Sequence, residues 1–254
     1  GINQCDKLLI VYEQGYGDNI QFYRFILELK NKYKNIQMTY FCKKDISHLF
    51  EYNENINIIT ELPSNYAELF SYKLYIMSIP YILSLNKISP CSYNYLISDK
   101  NCDKYWNDKL DNGKFKIGLT WKGNNTTCID KFIQLEKLYP VLQLIDNEKL
   151  NIEFISLQYD TNIPDNLKRY INVYDIDKKK KFTDTISILK NINLLISVDT
   201  SIIHLAGMFN IPCWLLLGKI SEWRWFKENI KTEWYKSVML IRSFQSDFQD
   251  IIDK

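Results

Sequence analysis

A glycine-rich turn that ends in an aspartate follows the first predicted strand. The apolar run Lys7–Tyr12 predicts a strand, Gly15–Asp18 (GYGD) a turn, and Asn19–Tyr33 a helix with a broad apolar face. Two glycines let the backbone come close to a ligand, and Asp18 would stand at the N-terminus of the helix. A carboxylate there could take a proton from an acceptor hydroxyl as a general base. The alternative is a capping carboxylate that stabilises the helix by about 1 kcal/mol.

A second polar turn follows a strongly apolar run. Leu194–Val198 predicts a buried strand, Asp199–Ser201 (DTS) a turn, and Ser201–Phe209 a helix. Either hydroxyl residue of the turn is a natural N-cap. The helix N–H groups and dipole would then face the carboxyl edge of a parallel sheet, where α/β proteins bind phosphorylated ligands. His204 projects from the first helical turn near that edge. A cap without a ligand and a structural histidine are the alternatives.

Residue types and spacing argue against several other chemistries. The six cysteines are scattered without a C-x-x-C pair and only two histidines are present, so we expect neither a disulfide framework nor a histidine-rich metal site. Serine-hydrolase and Walker motifs are absent, and the turn at Gly15 lacks the third glycine of the dinucleotide fingerprint. Asp175–Asp177 (DID) matches a D-x-D metal-binding pattern. Because it runs into four lysines, we interpret it as a solvated loop and expect no divalent metal.

An aromatic segment follows the last predicted core strand. Trp223–Trp225 (WRW), with Trp234 and Tyr235 downstream, could stack on a base or a sugar. For most of these residues, packing of a C-terminal segment against the domain is the expected role.

The composition predicts a globular α/β protein. The 254 residues are 46% hydrophobic and 24% charged, with a formal net charge of +2, so no strong field would draw the chain to nucleic acid or a membrane. The apolar runs are too short to span a bilayer and no signal peptide is recognised, so we expect no transmembrane segment and a cytoplasmic location with reduced cysteines.

Strands and helices alternate through both halves of the sequence, which predicts parallel sheets with right-handed crossovers. The expected architecture is two Rossmann-like lobes facing a cleft, the first over residues 1–110 and the second over 111–254. The charged stretch Asp99–Lys114 is the candidate interdomain segment. Further predicted strands are Gln37–Cys42, Ile56–Ile59, Lys116–Trp121, Ile152–Leu157 and Cys213–Leu217, and further predicted helices are Asp45–Tyr52, Ile133–Ile145 and Thr183–Asn191.

Several motifs together resemble the glycosyltransferase region of heptosyltransferase-like proteins (glycosyltransferase family 9). The resemblance is closest to the bacterial branch in which this region follows tetratricopeptide repeats. It runs from Lys7 to about Phe248, and no such repeat is present, so the chain would be the catalytic portion of a longer protein or a stand-alone version. The motifs are EQGYGDNIQFYRF (Glu13–Phe25), IMSIP (Ile76–Pro80), KIGLTWKGN (Lys116–Asn124), FISLQ (Phe154–Gln158), FTDT (Phe182–Thr185), ISVDTSIIHLAG (Ile196–Gly207), PCWLLL (Pro212–Leu217), EWRW (Glu222–Trp225) and EWYKSVMLIR (Glu233–Arg242).

The resemblance implies a GT-B fold and an inverting, metal-independent transfer of sugar, with the acceptor bound mainly by the first lobe and the nucleotide-sugar donor mainly by the second. It implies that Asp18 is the general base and that Gly15, Gly17 and Gln21 line the acceptor side of the cleft. The implied donor-binding residues are Gly123, Asn124, Lys131, Gln158, Asp199, Thr200, Ser201, Ile202 and His204, the last five with the backbone of Ile203 around the diphosphate.

The sequence departs from the family at one basic position. Relatives carry an Arg-Ser pair shortly after the W-x-G-N turn, where this chain has Lys131 and Phe132. A lysine can neutralise a phosphate but lacks the bidentate fork of arginine. Lys122 and Arg224 are the alternative cations for the leaving diphosphate.

Three functions follow, in order of preference. The first is a glycosyltransferase that uses a nucleotide-diphosphate sugar, by family analogy ADP-linked heptose, and a glycan or other hydroxyl acceptor. The second is a catalytically silent nucleotide-sugar or glycan-binding module of the same fold. The third is another Rossmann-type enzyme such as a nucleotide-sugar epimerase, which would bind a nicotinamide cofactor. We expect no metal, no other cofactor and no nucleic-acid partner for the first.

Overall fold

Two parallel β-sheets form the frame of the protein in the computed structural model, which describes residues 2, 5–51, 55–90, 94–123, 131–159, 162–176, 181–227, 230–243 and 250. The first sheet has the order β3-β2-β1-β4 and contains β1 (Lys7–Val11), β2 (Gln37–Phe41), β3 (Ile56–Ile59) and β4 (Tyr72–Tyr75). The second has the order β10-β9-β8-β5-β6-β7 and contains β5 (Phe115–Thr120), β6 (Ile152–Ser156), β7 (Ile171–Asn172), β8 (Leu194–Val198), β9 (Cys213–Leu217) and β10 (Val238–Arg242).

Helices connect these strands. The α-helices are α1 (Tyr16–Lys32), α2 (Tyr66–Leu69), α3 (Ile79–Ile82), α4 (Lys100–Leu110), α5 (Tyr139–Asn147), α6 (Thr183–Leu189) and α7 (Ser201–Met208). Short 3₁₀ helices cover Lys44–Leu49, Ile76–Ser78, Leu135–Leu138 and Trp223–Trp225. Within the described ranges, no helix combines the length and apolar character that crossing a membrane requires.

Each sheet is wound outward from a central strand. β1 lies between β2 and β4, β5 lies between β6 and β8, and all the strand pairs are parallel. The second sheet therefore has the strand order of a dinucleotide-binding Rossmann fold, in which ligands bind outside the carboxyl ends of the strands where the order reverses. The predicted pair of Rossmann-like lobes with parallel sheets is confirmed.

Apolar packing joins the two lobes. α1 packs against α7, and Trp234, which follows β9 in the chain, also lies against α1. The ring centroid of Trp234 is 5.6 Å from that of Phe22 and 6.3 Å from that of Phe25, and its side chain is almost fully buried. The helix that opens the first lobe is thus covered by residues from the end of the second.

Most of the candidate interdomain segment Asp99–Lys114 folds as helix α4 (Lys100–Leu110). Asp99 caps α4 by accepting hydrogen bonds from the N–H groups of Asn101 and Cys102 at 2.9 and 3.0 Å. Trp106 is buried and its Nε1 donates to Asp184, at the start of α6, at 2.6 Å. α4 therefore packs on the second lobe, while the lobe boundary at residue 110 stays a prediction.

Two helices begin at positions different from those predicted. α1 begins at Tyr16, three residues before the predicted start, so Asp18 lies inside its first turn. The helix predicted over 133–145 begins instead as the 3₁₀ turn Leu135–Leu138 and becomes α-helical at Tyr139, with Pro140 in the first turn. Proline is tolerated there because the first-turn N–H groups have no intrahelical partner.

Candidate active site

A cleft of about 820 Å³ lies between the carboxyl ends of the two sheets. The turn after β1 forms the wall on the first lobe, and loops after β5, β6 and β8 form the opposite wall. Of the predicted site residues, eleven line this cleft: Gly15, Gly17, Asp18, Gly123, Lys131, Gln158, Asp199, Thr200, Ser201, Ile202 and His204. Gln21 lies behind the wall, and Asn124 lies outside the described residues.

Asp18 caps its own helix and also pairs with the opposite lobe. Its Oδ2 accepts a hydrogen bond from the N–H of Gly15, the N-cap residue, at 3.0 Å. Its Oδ1 accepts from Arg224 at 2.6 Å, and the side chains of Asp18 and Arg224 are 12% and 7% exposed. Arg224 also donates to Gln21 at 2.7 Å. Both predicted roles of Asp18, the cap and the cleft carboxylate, are therefore compatible with this geometry.

Gly17 sits where α1 packs closely against α7. A Cβ atom at this position would lie 2.7 Å from Cδ2 of His204 and 3.4 Å from Cα of Ser201. Gly17 has ordinary helical backbone angles, so its conformation does not require glycine. The close contact with α7 does, because it leaves no room for a side chain. The contact brings the Asp18 turn directly against the N-terminus of α7.

The N-terminus of α7 opens into the cleft, with Thr200 as its N-cap. Thr200 Oγ1 accepts from the N–H of Ile202 at 3.3 Å, and the Thr200 carbonyl accepts from Ile203 at 3.2 Å. Of the two residues predicted as possible N-caps, Thr200 and Ser201, it is Thr200 that caps α7. Because the amides of Ile202 and Ile203 are occupied, the nearest available donors are the N–H and hydroxyl of Ser201, which have no partner among the described residues.

Lys131 lies between two carboxylates. Its Nζ is 3.2 Å from Asp199 Oδ2 and 3.1 Å from Glu222 Oε1, and its side chain is 16% exposed. Lys122, on the same wall, is exposed and forms no ion pair with any described residue. The charge of Lys131 is therefore balanced in this structure, while no carboxylate in the described part of the chain pairs with Lys122.

His204 is buried and neutral. Burial, with the nearby cations Arg224 and Lys131, lowers the pKa of His204 well below its ordinary value. Its ring stacks on Trp225 at a centroid distance of 5.8 Å, and its Nδ1 is 2.9 Å from the hydroxyl of Tyr235. His204 can therefore offer a hydrogen bond to a ligand but no positive charge.

Gln158 and Gly123 shape the loop after β5. The Gln158 amide accepts from the N–H groups of Trp121 and Lys122 at 3.3 and 3.0 Å and donates to the Lys122 carbonyl at 3.0 Å. A Cβ on Gly123 would lie 2.9 Å from the Cβ of Lys131. Both residues thus hold the backbone that leads to Lys131.

Two lysines at the cleft mouth were not identified from the sequence. Lys43, from the first lobe, and Lys181, from the second, place their Nζ atoms 4.9 and 4.1 Å from the ring centroid of Tyr16. Burial and a hydrogen bond to Asp45 raise the pKa of Tyr16 to about 12, so the phenol stays protonated. Lys43 lies just beyond the carboxyl end of β2. Because ligands of α/β folds bind outside the carboxyl ends of the strands, this position could have identified Lys43 as a cleft residue.

The aromatic segment packs as expected, with one exception. Trp225 and Tyr235 are buried, whereas Trp223 is 56% exposed. Arg224 and Glu222, which flank Trp223, both reach the cleft. From the sequence we expected stacking or packing for this segment, and we did not predict the ion pair of Arg224 with Asp18.

Possible metal ligands are dispersed across the described ranges. No group of three or more His, Cys, Asp or Glu side chains there is arranged to hold a metal ion. Asp175 lies in a described loop and Asp177 outside the described residues, and metal independence stays a prediction.

No protein-family model matches the sequence, and no curated protein matches it. Solved structures match the fold. The glycosyl transferase family 9 protein from Veillonella parvula is 10% identical, with a TM-score of 0.59, covering 97% of this chain and 88% of its own. ADP-heptose lps heptosyltransferase II of E. coli is 9% identical, with a TM-score of 0.62 and coverages of 95% and 92%. E. coli heptosyltransferase WaaC with ADP-2-deoxy-2-fluoro heptose is 12% identical, with a TM-score of 0.57 and coverages of 97% and 99%.

These matches extend over nearly the whole of both chains, so they concern the two-lobed architecture and not one domain alone. The resemblance to heptosyltransferase-like proteins is confirmed for the fold, while the similarity to the branch with tetratricopeptide repeats stays a prediction. The chain has the GT-B fold of these glycosyltransferases.

Proposed function

We propose that this protein is a metal-independent, inverting glycosyltransferase that transfers a sugar from a nucleotide-diphosphate sugar to a hydroxyl acceptor such as a glycan. One observation carries the proposal: the Asp18 carboxylate and the N-terminus of α7 face the same cleft and are held together through Gly17. A base for the acceptor and an anion-binding site for the donor are thereby adjacent, as a transfer between two bound substrates requires.

In the proposed reaction, the acceptor hydroxyl attacks the anomeric carbon of the donor sugar. Its proton passes to Asp18 as the new glycosidic bond forms, and the bond from the anomeric carbon to the diphosphate oxygen breaks on the opposite face, which inverts the configuration. Each Asp18 oxygen already accepts one hydrogen bond, from Gly15 or from Arg224, and a carboxylate oxygen can accept a second. Arg224 keeps the carboxylate oriented and its charge compensated.

The leaving nucleoside diphosphate gains charge as the bond breaks. The N-terminus of α7, with the free N–H and hydroxyl of Ser201, supplies donors for it. Lys122 supplies a free cation on the same wall, and Lys131 can add its charge if Glu222 yields to the ligand. One E. coli protein with this fold is an ADP-heptose lps heptosyltransferase, and another is bound to ADP-2-deoxy-2-fluoro heptose. We therefore propose an ADP-linked sugar as the donor class.

The assignment of Asp18 as the general base is tested with Asp18→Asn. Transfer or hydrolysis of ADP-heptose, measured in EDTA, should fall by about 10²–10⁴-fold, with ADP affinity retained. Asp45→Asn, which removes a carboxylate that pairs with Tyr16 and Lys181 outside the proposed machinery, is the matched control and should keep activity. A near wild-type rate in Asp18→Asn would rule out this base. Loss of activity in EDTA that a divalent metal restores would overturn metal independence.

The donor site is tested with Ser201→Leu. The larger side chain should fill the space before the α7 N-terminus and weaken ADP binding, measured by titration calorimetry. ADP present at 100 times its Kd should stabilise the wild type by about 2.7 kcal/mol in thermal unfolding. An ADP affinity that Ser201→Leu leaves unchanged would refute the diphosphate site.

The second candidate function is a catalytically silent nucleotide-sugar-binding module. The balanced charge of Lys131 favours it, because the cation expected at the diphosphate already has two carboxylate partners. This candidate predicts donor binding without any product, whereas an activity that Asp18→Asn removes would eliminate it.

A further inference from the structure

A buried chain of polar groups lies behind the cleft. The Tyr235 hydroxyl is 2.9 Å from Nδ1 of His204, and the side chain of Tyr95 lies close enough to contribute to the raised pKa of Tyr235. His204 and Tyr235 are each 3% exposed and Tyr95 is 7% exposed. The proposed reaction assigns no role to Tyr235, although it is the described residue that bonds to the His204 ring.

His204 presents a single polar atom to the cleft. One ring face stacks on Trp225, and Nδ1 is taken by Tyr235. The opposite edge, with Cδ2 and Nε2, faces Gly17, where a Cβ would lie 2.7 and 3.2 Å from these two atoms. Nε2 has no hydrogen-bond partner among the described residues, and His204 lines the cleft.

The tautomer of His204 decides what that atom can do. A neutral imidazole carries one proton, and the nitrogen that lacks it is an acceptor only. Burial raises the pKa of Tyr235 well above its ordinary value, so the phenol keeps its proton. A phenol O–H is more acidic than a neutral imidazole N–H, so the stronger arrangement has Tyr235 donating to Nδ1.

We propose that Tyr235 is a positioning residue that holds His204 with its proton on Nε2, so that an N–H donor faces the diphosphate of the donor substrate. The ligand in this statement rests on the proposed function, whereas the tautomer does not. The N–H would lie beside Ser201 at the α7 N-terminus and add a neutral donor to a wall on which Lys131 is already paired. The specific requirement falls on the Tyr235 hydroxyl and not on its ring.

The tautomer is measured directly by ¹⁵N NMR of the whole chain labelled at histidine. The sequence has only two histidines, so His48→Gln assigns both rings. In the wild type, Nδ1 of His204 should resonate as the unprotonated nitrogen and Nε2 as the protonated one. Tyr235→Phe keeps the ring that packs against Gly207 and should mix the two forms. A proton on Nδ1 in the wild type, or an unchanged tautomer in Tyr235→Phe, would overturn the proposal.

Nucleotide binding gives the second measurement. Tyr235→Phe should weaken ADP binding by about tenfold, as expected for one hydrogen bond to a charged group, and should leave adenosine binding unchanged. Tyr23→Phe is the control, because it also removes a buried hydroxyl, one that donates to the Phe50 carbonyl at 3.2 Å in the first lobe. Equal ADP affinity in wild type and Tyr235→Phe would overturn the diphosphate role. If the tautomer is as expected but the wild type does not bind ADP, the proposed donor fails and the positioning of His204 stands.

Discussion

Removing Arg224 from its ion pair should destabilise the protein strongly. In Arg224→Gln the Asp18 carboxylate stays buried, at 12% exposure, without its cation, and Gln21 loses its donor at 2.7 Å. Breaking a buried pair by removing one partner costs about 3–5 kcal/mol. For a chain of 254 residues, each kcal/mol lowers the melting temperature by roughly 2–4 °C, so we expect a fall of about 6–20 °C.

A double-mutant cycle separates the ion pair from general damage. Asp18→Asn combined with Arg224→Gln leaves no uncompensated charge, so it should be destabilised by less than the sum of the two single variants. Urea denaturation measures the four free energies of unfolding, those of the wild type, the two single variants and the double variant. Lys168→Gln is the control, because Lys168 and Asp165 form a surface pair with side chains 63% and 94% exposed and should lose less than about 1 kcal/mol. A cost below about 1 kcal/mol for Arg224→Gln, or an additive cycle, would refute the reasoning.

The remaining predictions concern packing and pH. Gly17→Ala should cost about 1–3 kcal/mol in urea denaturation, because its Cβ would lie 2.7 Å from His204; an unchanged midpoint would mean that the lobes separate easily. Burial lowers the pKa of His204, so below about pH 6.5 the unfolded chain takes up a proton that the folded chain does not. The free energy of unfolding should therefore decrease as the pH is lowered through this range. His204→Gln should flatten that slope. Burial raises the pKa of Glu153, but hydrogen bonds from Asn112 and Asn172 outweigh it and lower the pKa below 4.5. That stabilisation is present above pH 4.5 and lost as the pH falls further, and Glu153→Gln should remove the loss; an equal loss in the variant would contradict the assignment.

The central strands were predictable because their local signals were strong. Leu194–Val198 and Cys213–Leu217 are apolar runs of strand length, and their predicted bounds are those of β8 and β9. Helix α4 was missed since only Trp106 and Leu110 of its eleven residues are buried, too few to mark a helical period. β7 has two residues and depends on pairing with β6, which no local pattern encodes.

The candidate site was predictable where turns fix it and not where distant residues meet. The turns at Asp18 and Thr200 follow strands of the two sheets, and parallel topology places each at the carboxyl edge of its own sheet. The packing of α1 against α7 then brings the two edges together. The partners Arg224 and Glu222 come from a segment after β9 whose path depends on tertiary packing. The burial that makes His204 neutral likewise arises from Trp225 and Tyr235, which are distant in sequence.

The covering of α1 by the end of the second lobe has a consequence for biosynthesis. Asp18 and Arg224 are separated by 206 residues, and Trp234 is synthesised later still. At about 5–20 residues per second, the ribosome takes roughly 10–40 s to deliver Arg224 after Asp18. Throughout that interval α1 lacks part of its final cover, so the nascent first lobe exposes apolar surface until α7 and then Trp234 have been synthesised.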